Sequence, residues 1–156
     1  MPSEEEGGME VEDRVAYALT CLSWLLTHKV VLLSVGGALG TCARYYLSTW
    51  IGSPSWAMGL PVATFFINVS GSFLLGGCAV IIRQKLPPEF GYWYLLIGTG
   101  FCGGYTTFST FEYETYQLVG LGSWLLALAN VVGSVVVGFL GVLLGVVLVN
   151  WLLPTQ

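Results

Sequence analysis

Gly98-Thr-Gly-Phe-Cys-Gly-Gly-Tyr-Thr-Thr-Phe-Ser-Thr-Phe-Glu-Tyr-Glu114 decides how this chain is read. Its first seven residues hold four glycines, and the rest interleaves Thr, Ser and Glu with Phe108 and Phe111. The segments on either side are long and apolar, so this polar, glycine-rich run lies where a lipid-spanning helix is expected. Unpaired backbone in hydrocarbon costs several kcal/mol per group, so such a run survives at membrane depth only if protein or a water-filled site covers it. Gly103-Gly104 can take backbone angles closed to other residues, which predicts a helix broken there into two halves. The carbonyls freed by the break need partners, and a bound cation is one solution.

The surroundings support membrane depth. Of 156 residues, 55% are hydrophobic and 9% charged, with a mean hydropathy of +0.77; soluble domains carry about 25% charged residues. The length allows about four spans of ~20 residues with short connections. Six of the nine acids fall within Glu4–Asp13, so the net charge of −4 describes a tail. Cys21, Cys42, Cys78 and Cys102 are scattered through apolar segments and His28 is the one histidine, which reads as packing cysteines rather than a metal site or disulfides. No nucleophile–base pair, phosphate loop, dinucleotide fingerprint or basic nucleic-acid patch can be assembled, so neither an enzyme nor a nucleic-acid binder is expected.

Residues 1–29 read as an acidic tail, disordered over Met1–Asp13, followed by an interfacial amphipathic helix over Arg14–Lys29. Residues 30–151 read as a four-helix transmembrane domain. Its first span, Val30–Ile51, aligns Gly37, Gly40, Thr41, Arg44 and Ser48 on one face. Arg44 either snorkels to the interface or places a fixed positive charge in a vestibule. The second, Leu60–Ile82, repeats Thr64, Asn68, Ser72 and Gly76 every four residues, with the Asn68 amide either joining helices or lining a pathway. The third, Tyr92–Val119, carries the interrupted stretch, with Phe108 and Phe111 on one face and Thr107, Thr110 and Glu114 in an adjacent row. The fourth, Trp124–Trp151, aligns Asn130, Ser134, Gly138, Gly141 and Gly145.

A small or polar stripe on all four spans implies a lined path or a second subunit. Spans one, two and four contain no acid, whereas hydroxyls, an amide and one Arg are hydrogen-bond donors, which favours an anion. The electropositive edge of an aromatic ring can coordinate a small anion while excluding water, which gives the Phe108/Phe111 pair a use beyond packing.

These residues resemble the Fluc/CrcB fluoride channel family. The resemblance is carried by Gly36-Gly-Ala-Leu-Gly40 with Arg44-Tyr45, Thr64-Phe-Phe-Ile-Asn68-Val-Ser-Gly71 with Gly76, Gly100-Phe-Cys-Gly103-Gly-Tyr-Thr106-Thr-Phe108-Ser-Thr-Phe111 with Glu114, and Ser134, Gly138 and Gly145. It covers nearly the whole chain beyond residue 29, and the Gly-Gly-x-Thr-Thr-Phe-Ser-Thr-Phe run is highly specific. The resemblance implies an antiparallel dimer of four-helix subunits in the cell (inner or plasma) membrane, with fluoride pores along the subunit interface. It assigns Phe108, Phe111, Asn68, Ser134, Thr110 and Thr107 to the pore, Arg44 to a vestibule and Glu114 to polar support. The backbone carbonyls of Gly103 and Thr106 are implied to hold a structural Na⁺. Export would be passive, limiting the toxicity of fluoride that enters as HF.

Arg14, Lys29, Arg83 and Lys85 fall on one side of alternating spans, which by the positive-inside rule predicts a fixed orientation with both termini inside. Two dimers therefore stay open: an antiparallel homodimer, and a heterodimer with an oppositely oriented homologue. A small proton- or ion-coupled transporter is the alternative function and would need a titratable group on the path. A non-transporting membrane subunit would use the glycine faces for packing alone.

Overall fold

The computed structural model describes residues 11–154, and every regular element among them is helical. Helix α1, Val11–Thr27, is followed after His28 alone by α2, Lys29–Ile51. A 3₁₀ turn at Ser55–Ala57 leads to α3, Val62–Val80, which continues as a π-helical turn over Ile81–Lys85. After a second 3₁₀ turn at Pro88–Phe90, a π-helical stretch Leu95–Cys102 runs into the short α4, Gly103–Tyr105. Helix α5, Phe108–Gly120, and the long α6, Trp124–Leu152, complete the fold.

Three of these segments are long and apolar enough to cross a membrane: Lys29–Ile51, Val62–Lys85 and Trp124–Leu152, with mean hydropathies of 1.3, 2.0 and 2.7. Each agrees with an expected span to within a few residues. The expected span over Tyr92–Val119 is not one continuous helix.

The expectation of disorder over Met1–Asp13 is corrected at its end, because Val11–Asp13 form the first turn of α1. Glu12 and Asp13 stand in that turn, where the partial positive charge of a helix N-terminus favours carboxylates. The rest of the acidic tail lies outside the described residues. His28, with φ −68° and ψ 121°, supplies the one extended residue that separates α1 from α2.

Two helix contacts organise the rest, and glycine makes both possible. Helix α2 lies against Leu95–Cys102 and α4. There a Cβ on Gly36 would collide with the Leu96 carbonyl, and one on Gly40 with the Phe101 carbonyl. These positions are four apart, one turn on the same face. The other contact joins α3 to α6, where a Cβ on Gly76 would strike the Val142 carbonyl and one on Gly145 the Phe73 carbonyl. Close backbone approach of this kind is how small residues hold helices together in lipid, which offers no hydrophobic drive to separate apolar faces from tails. The outer faces match that solvent: Leu125, Val135, Phe139, Leu144 and Val147 on α6 are all exposed.

Candidate functional site

The interruption falls at Thr106–Thr107, three residues later than the glycine pair predicts. Gly103 has φ −65° and ψ −37°, ordinary helical values. Thr106 (φ −79°, ψ 159°) and Thr107 (φ −150°, ψ 115°) are the extended residues. The reason is packing. Gly104 is needed for closeness rather than for unusual angles, since a Cβ there would lie 2.5 Å from the Gly37 carbonyl oxygen on α2.

Asn68 from α3 holds the extended segment. Its Oδ1 accepts from the Thr107 N–H at 2.8 Å and its Nδ2 donates to the Thr107 carbonyl at 3.1 Å. One side-chain amide thus satisfies both backbone groups of a residue that has left the helix. Thr107 then caps α5: its Oγ1 accepts from the Thr110 N–H at 3.3 Å and donates to Thr110 Oγ1 at 2.8 Å. That leaves the Thr110 proton free to point elsewhere. The Thr107 N–H, which in an unbroken α-helix would close on the Gly103 carbonyl, is committed to Asn68 instead.

Two clefts share Thr107 as a lining residue. The first, about 510 Å³, is lined by Asn68, Ser72, Thr99, Gly103, Thr106, Thr107, Phe108, Phe111 and Ser134, together with Tyr94 and Gly98. The second, about 450 Å³, is lined by Thr41, Arg44, Ser48, Thr64, Thr107, Thr110 and Glu114. The ten residues to which the resemblance assigns a role therefore all line one cleft or the other, with Thr107 in both. The first cleft takes seven of them and the second takes Arg44, Thr110 and Glu114.

None of the described residues lining the first cleft is acidic or basic. Its polar groups are amide and hydroxyl donors. Ser134 Oγ is buried and makes no hydrogen bond, and Asn68 has a second amide hydrogen beyond the one given to Thr107. The Phe108 and Phe111 rings stand 5.7 Å apart, centroid to centroid, at 41°. Phe111 is 8% exposed and Phe108 69%, so one ring forms the cleft wall and the other projects from it.

Residues outside the expected site support it. Thr64 donates to Glu114 Oε1 at 2.9 Å, while Oε2 is buried without a partner. Asn130, buried on α6, donates to Thr115 Oγ1 at 2.8 Å, and Thr115 donates in turn to the Phe111 carbonyl at 2.8 Å. This chain explains why an asparagine joins the glycine face of α6: it fixes the turn that carries Phe111. Ser70 and Tyr105 join hydroxyls at 2.9 Å beside the interruption. Thr64 already stood in the polar stripe read from the sequence, and Thr115 was legible in principle, one helical turn from Phe111. Tyr94 and Thr99 carried no such signal.

Apolar crossing helices around a donor-lined cleft define a multi-pass membrane protein with a path for a polar solute. Comparison with known proteins gives the class its family. The family described as "CrcB-like protein, Camphor Resistance (CrcB)" matches residues 31–146, and the chain belongs to it. The fluoride-specific ion channel FluC of Solibacter usitatus is 44% identical over 120 residues, 77% of this chain and 97% of that protein. FluC 2 of Moorella thermoacetica is 44% identical over 113 residues, covering 70% and 87%. The FluC protein of Pyrococcus abyssi is 42% identical over 123 residues, covering 76% and 93%.

Proposed function

We propose that this protein is a fluoride-specific ion channel that lets fluoride leave the cell passively, with the two clefts as its conduction path. The observation that carries the reading is the makeup of the first cleft: two phenylalanine rings, an asparagine amide and an unpartnered buried serine hydroxyl, with no carboxylate among its described lining residues. Family membership supplies the choice of anion, since relatives named fluoride-specific channels align over 87–97% of their length.

A fluoride ion gives up strongly held water only if donors replace it at short range. Asn68, Ser134 and Thr110 each have a hydrogen to give, and the ring edges of Phe108 and Phe111 add positive potential along the wall. A carboxylate in the same space would repel the ion. Glu114 is instead set in the second cleft, one oxygen held by Thr64, with the Arg44 guanidinium lining the same cleft. Glu114 supports the helix entry and Arg44 offsets its charge.

The fourth crossing is the two-part segment from Leu95 to Gly120, its interruption spanned by Asn68. The channel is a dimer of oppositely oriented subunits, either two copies of this chain or this chain with a homologue. In support, Phe108 and Gly103 line the first cleft yet are exposed, so a partner could close the cleft over them. The residues also fit a structural Na⁺. The donor that would close on the Gly103 carbonyl is committed to Asn68, and Thr106 is extended. No cluster of three or more His, Cys, Asp or Glu exists among the described residues to hold a metal by side chains. Carbonyls from two subunits would give a hard monovalent cation an all-oxygen site. Helix α1, which meets the crossing α2 after one residue, lies along the membrane surface.

Expression in a bacterium lacking its own fluoride exporter tests the function. The chain should restore growth on acidic fluoride medium, and a Phe111→Ile variant made in equal amount should not. Failure of the wild-type chain together with each oppositely oriented homologue would overturn the reading.

A further inference from the structure

The conduction path has a charged group at one end that lies outside both clefts. Tyr94 lines the first cleft together with Gly98, on the helical segment that leads in sequence to Thr107. Its ring is pressed onto Gly98, where a Cβ would come within 2.7 Å of the Tyr94 Cε2. The Arg83 guanidinium carbon sits over the same ring, 3.8 Å from its centroid. A ring fixed on one helix therefore holds a cation from the end of another at the rim of a neutral cleft.

The local backbone explains how Arg83 reaches that place. Helix α3 widens into the π-helical turn Ile81–Lys85 just before Pro87-Pro88 ends it. A π turn inserts an extra residue and rotates the side chains that follow. Arginine suits the position because its planar, weakly hydrated guanidinium stacks on an aromatic face while its hydrogen-bond donors stay directed outward. Arg83 itself is exposed, so it is not a ligand buried on the path. Lys85 adds positive charge in the same turn, and Glu89 is the nearest acid in sequence, exposed on the next turn.

We propose that Arg83, held on the Tyr94 ring, is an anion-collecting group at the mouth of the first cleft. The proposal rests on the fluoride-channel reading. A low-dielectric cleft focuses the field of a charge at its rim, raising the local concentration of the attracted ion and its entry rate by about 10- to 1,000-fold in strong cases. One solvated guanidinium belongs at the weak end of that range. The ion recognised is a small monovalent anion, drawn from solution and passed to the uncharged donors within.

The test measures fluoride efflux from liposomes holding full-length protein, with a potassium ionophore to balance charge, at two ionic strengths set by an impermeant salt. At about 10 mM the Debye length is about 30 Å and at about 1 M it is about 3 Å. Arg83→Lys should keep most of the flux. Arg83→Gln should lose about threefold and Arg83→Glu about tenfold at low salt, with both losses falling below about twofold at high salt. A loss that is the same at both salt concentrations marks a packing defect and overturns the proposal, as does wild-type flux from Arg83→Glu at low salt. Failure of the fluoride reading is distinguishable, because the wild-type protein would then release no fluoride at either ionic strength.

Discussion

Changing Asn68 to Asp tests the geometry at its most constrained point. In the wild-type protein one amide both accepts from and donates to the Thr107 backbone, at 2.8 and 3.1 Å. A carboxylate keeps the first bond and loses the second, leaving a half-buried carbonyl facing an oxygen at a cost of about 1–3 kcal/mol. The same change places a negative charge in a cleft that otherwise holds none. For an anion passing about 4 Å away, the repulsion is about 4 kcal/mol at an effective dielectric of about 20. Water in the open cleft reduces it, so the expected result is a fall in fluoride efflux of about 100-fold, or about 2.7 kcal/mol. Asn68→Ser separates the two effects, since it releases Thr107 without adding charge, and should cost about tenfold. The assay is electrode-recorded efflux from liposomes, with elution volume confirming that each variant is assembled. Wild-type flux through the Asn68→Asp protein would show that neither the lost bond nor the added charge reaches the conducted ion. Equal, complete loss in both variants would show that the clasp matters and the charge is not felt.

Four further outcomes are expected. Phe111→Ile keeps most of the buried volume, at a cost of about 1–2 kcal/mol in stability, but removes a ring edge, so efflux should drop sharply while the thermal midpoint in detergent changes little. Gly145→Ala drives a methyl into the Phe73 carbonyl and should cost about 1–3 kcal/mol or more, seen as a lowered midpoint and weakened α3–α6 packing; Gly103→Ala, where nothing lies within 4 Å, should leave the subunit's own packing intact. Thr64→Val strips Glu114 of its one hydrogen bond, and in a double-mutant cycle with Glu114→Gln the pair should show a coupling of about 0.5–3 kcal/mol by thermal unfolding. A chain starting at Lys29 should conduct like the full-length protein, because α1 packs against α2 alone among its principal contacts; lost flux would place α1 in the working channel.

The parts of this fold that were legible in the sequence are those governed by periodicity. Thr64, Asn68, Ser72 and Gly76 share a face of α3 because they recur every four residues, and the lining of the clefts follows from that stripe meeting the row Thr107, Thr110, Glu114. What periodicity does not carry is where a helix gives way. The glycine pair at 103–104 looks like the weak point, yet both residues stay helical, because Gly104 is needed to let α2 approach. The break moves to Thr106–Thr107, where Asn68, 39 residues earlier in the chain, offers the backbone a better partner than the helix does. Long-range hydrogen bonds of this kind leave no local signature. The Asn130–Thr115 bond and the Arg83–Tyr94 stack are hidden for the same reason: each half looks ordinary until folding brings the other to it.

The central claim, a path selective for fluoride, meets its most direct test in liposomes loaded with equal concentrations of fluoride and chloride and read by two ion-selective electrodes. The protein should release the fluoride and retain the chloride. Equal release of the two ions would contradict it.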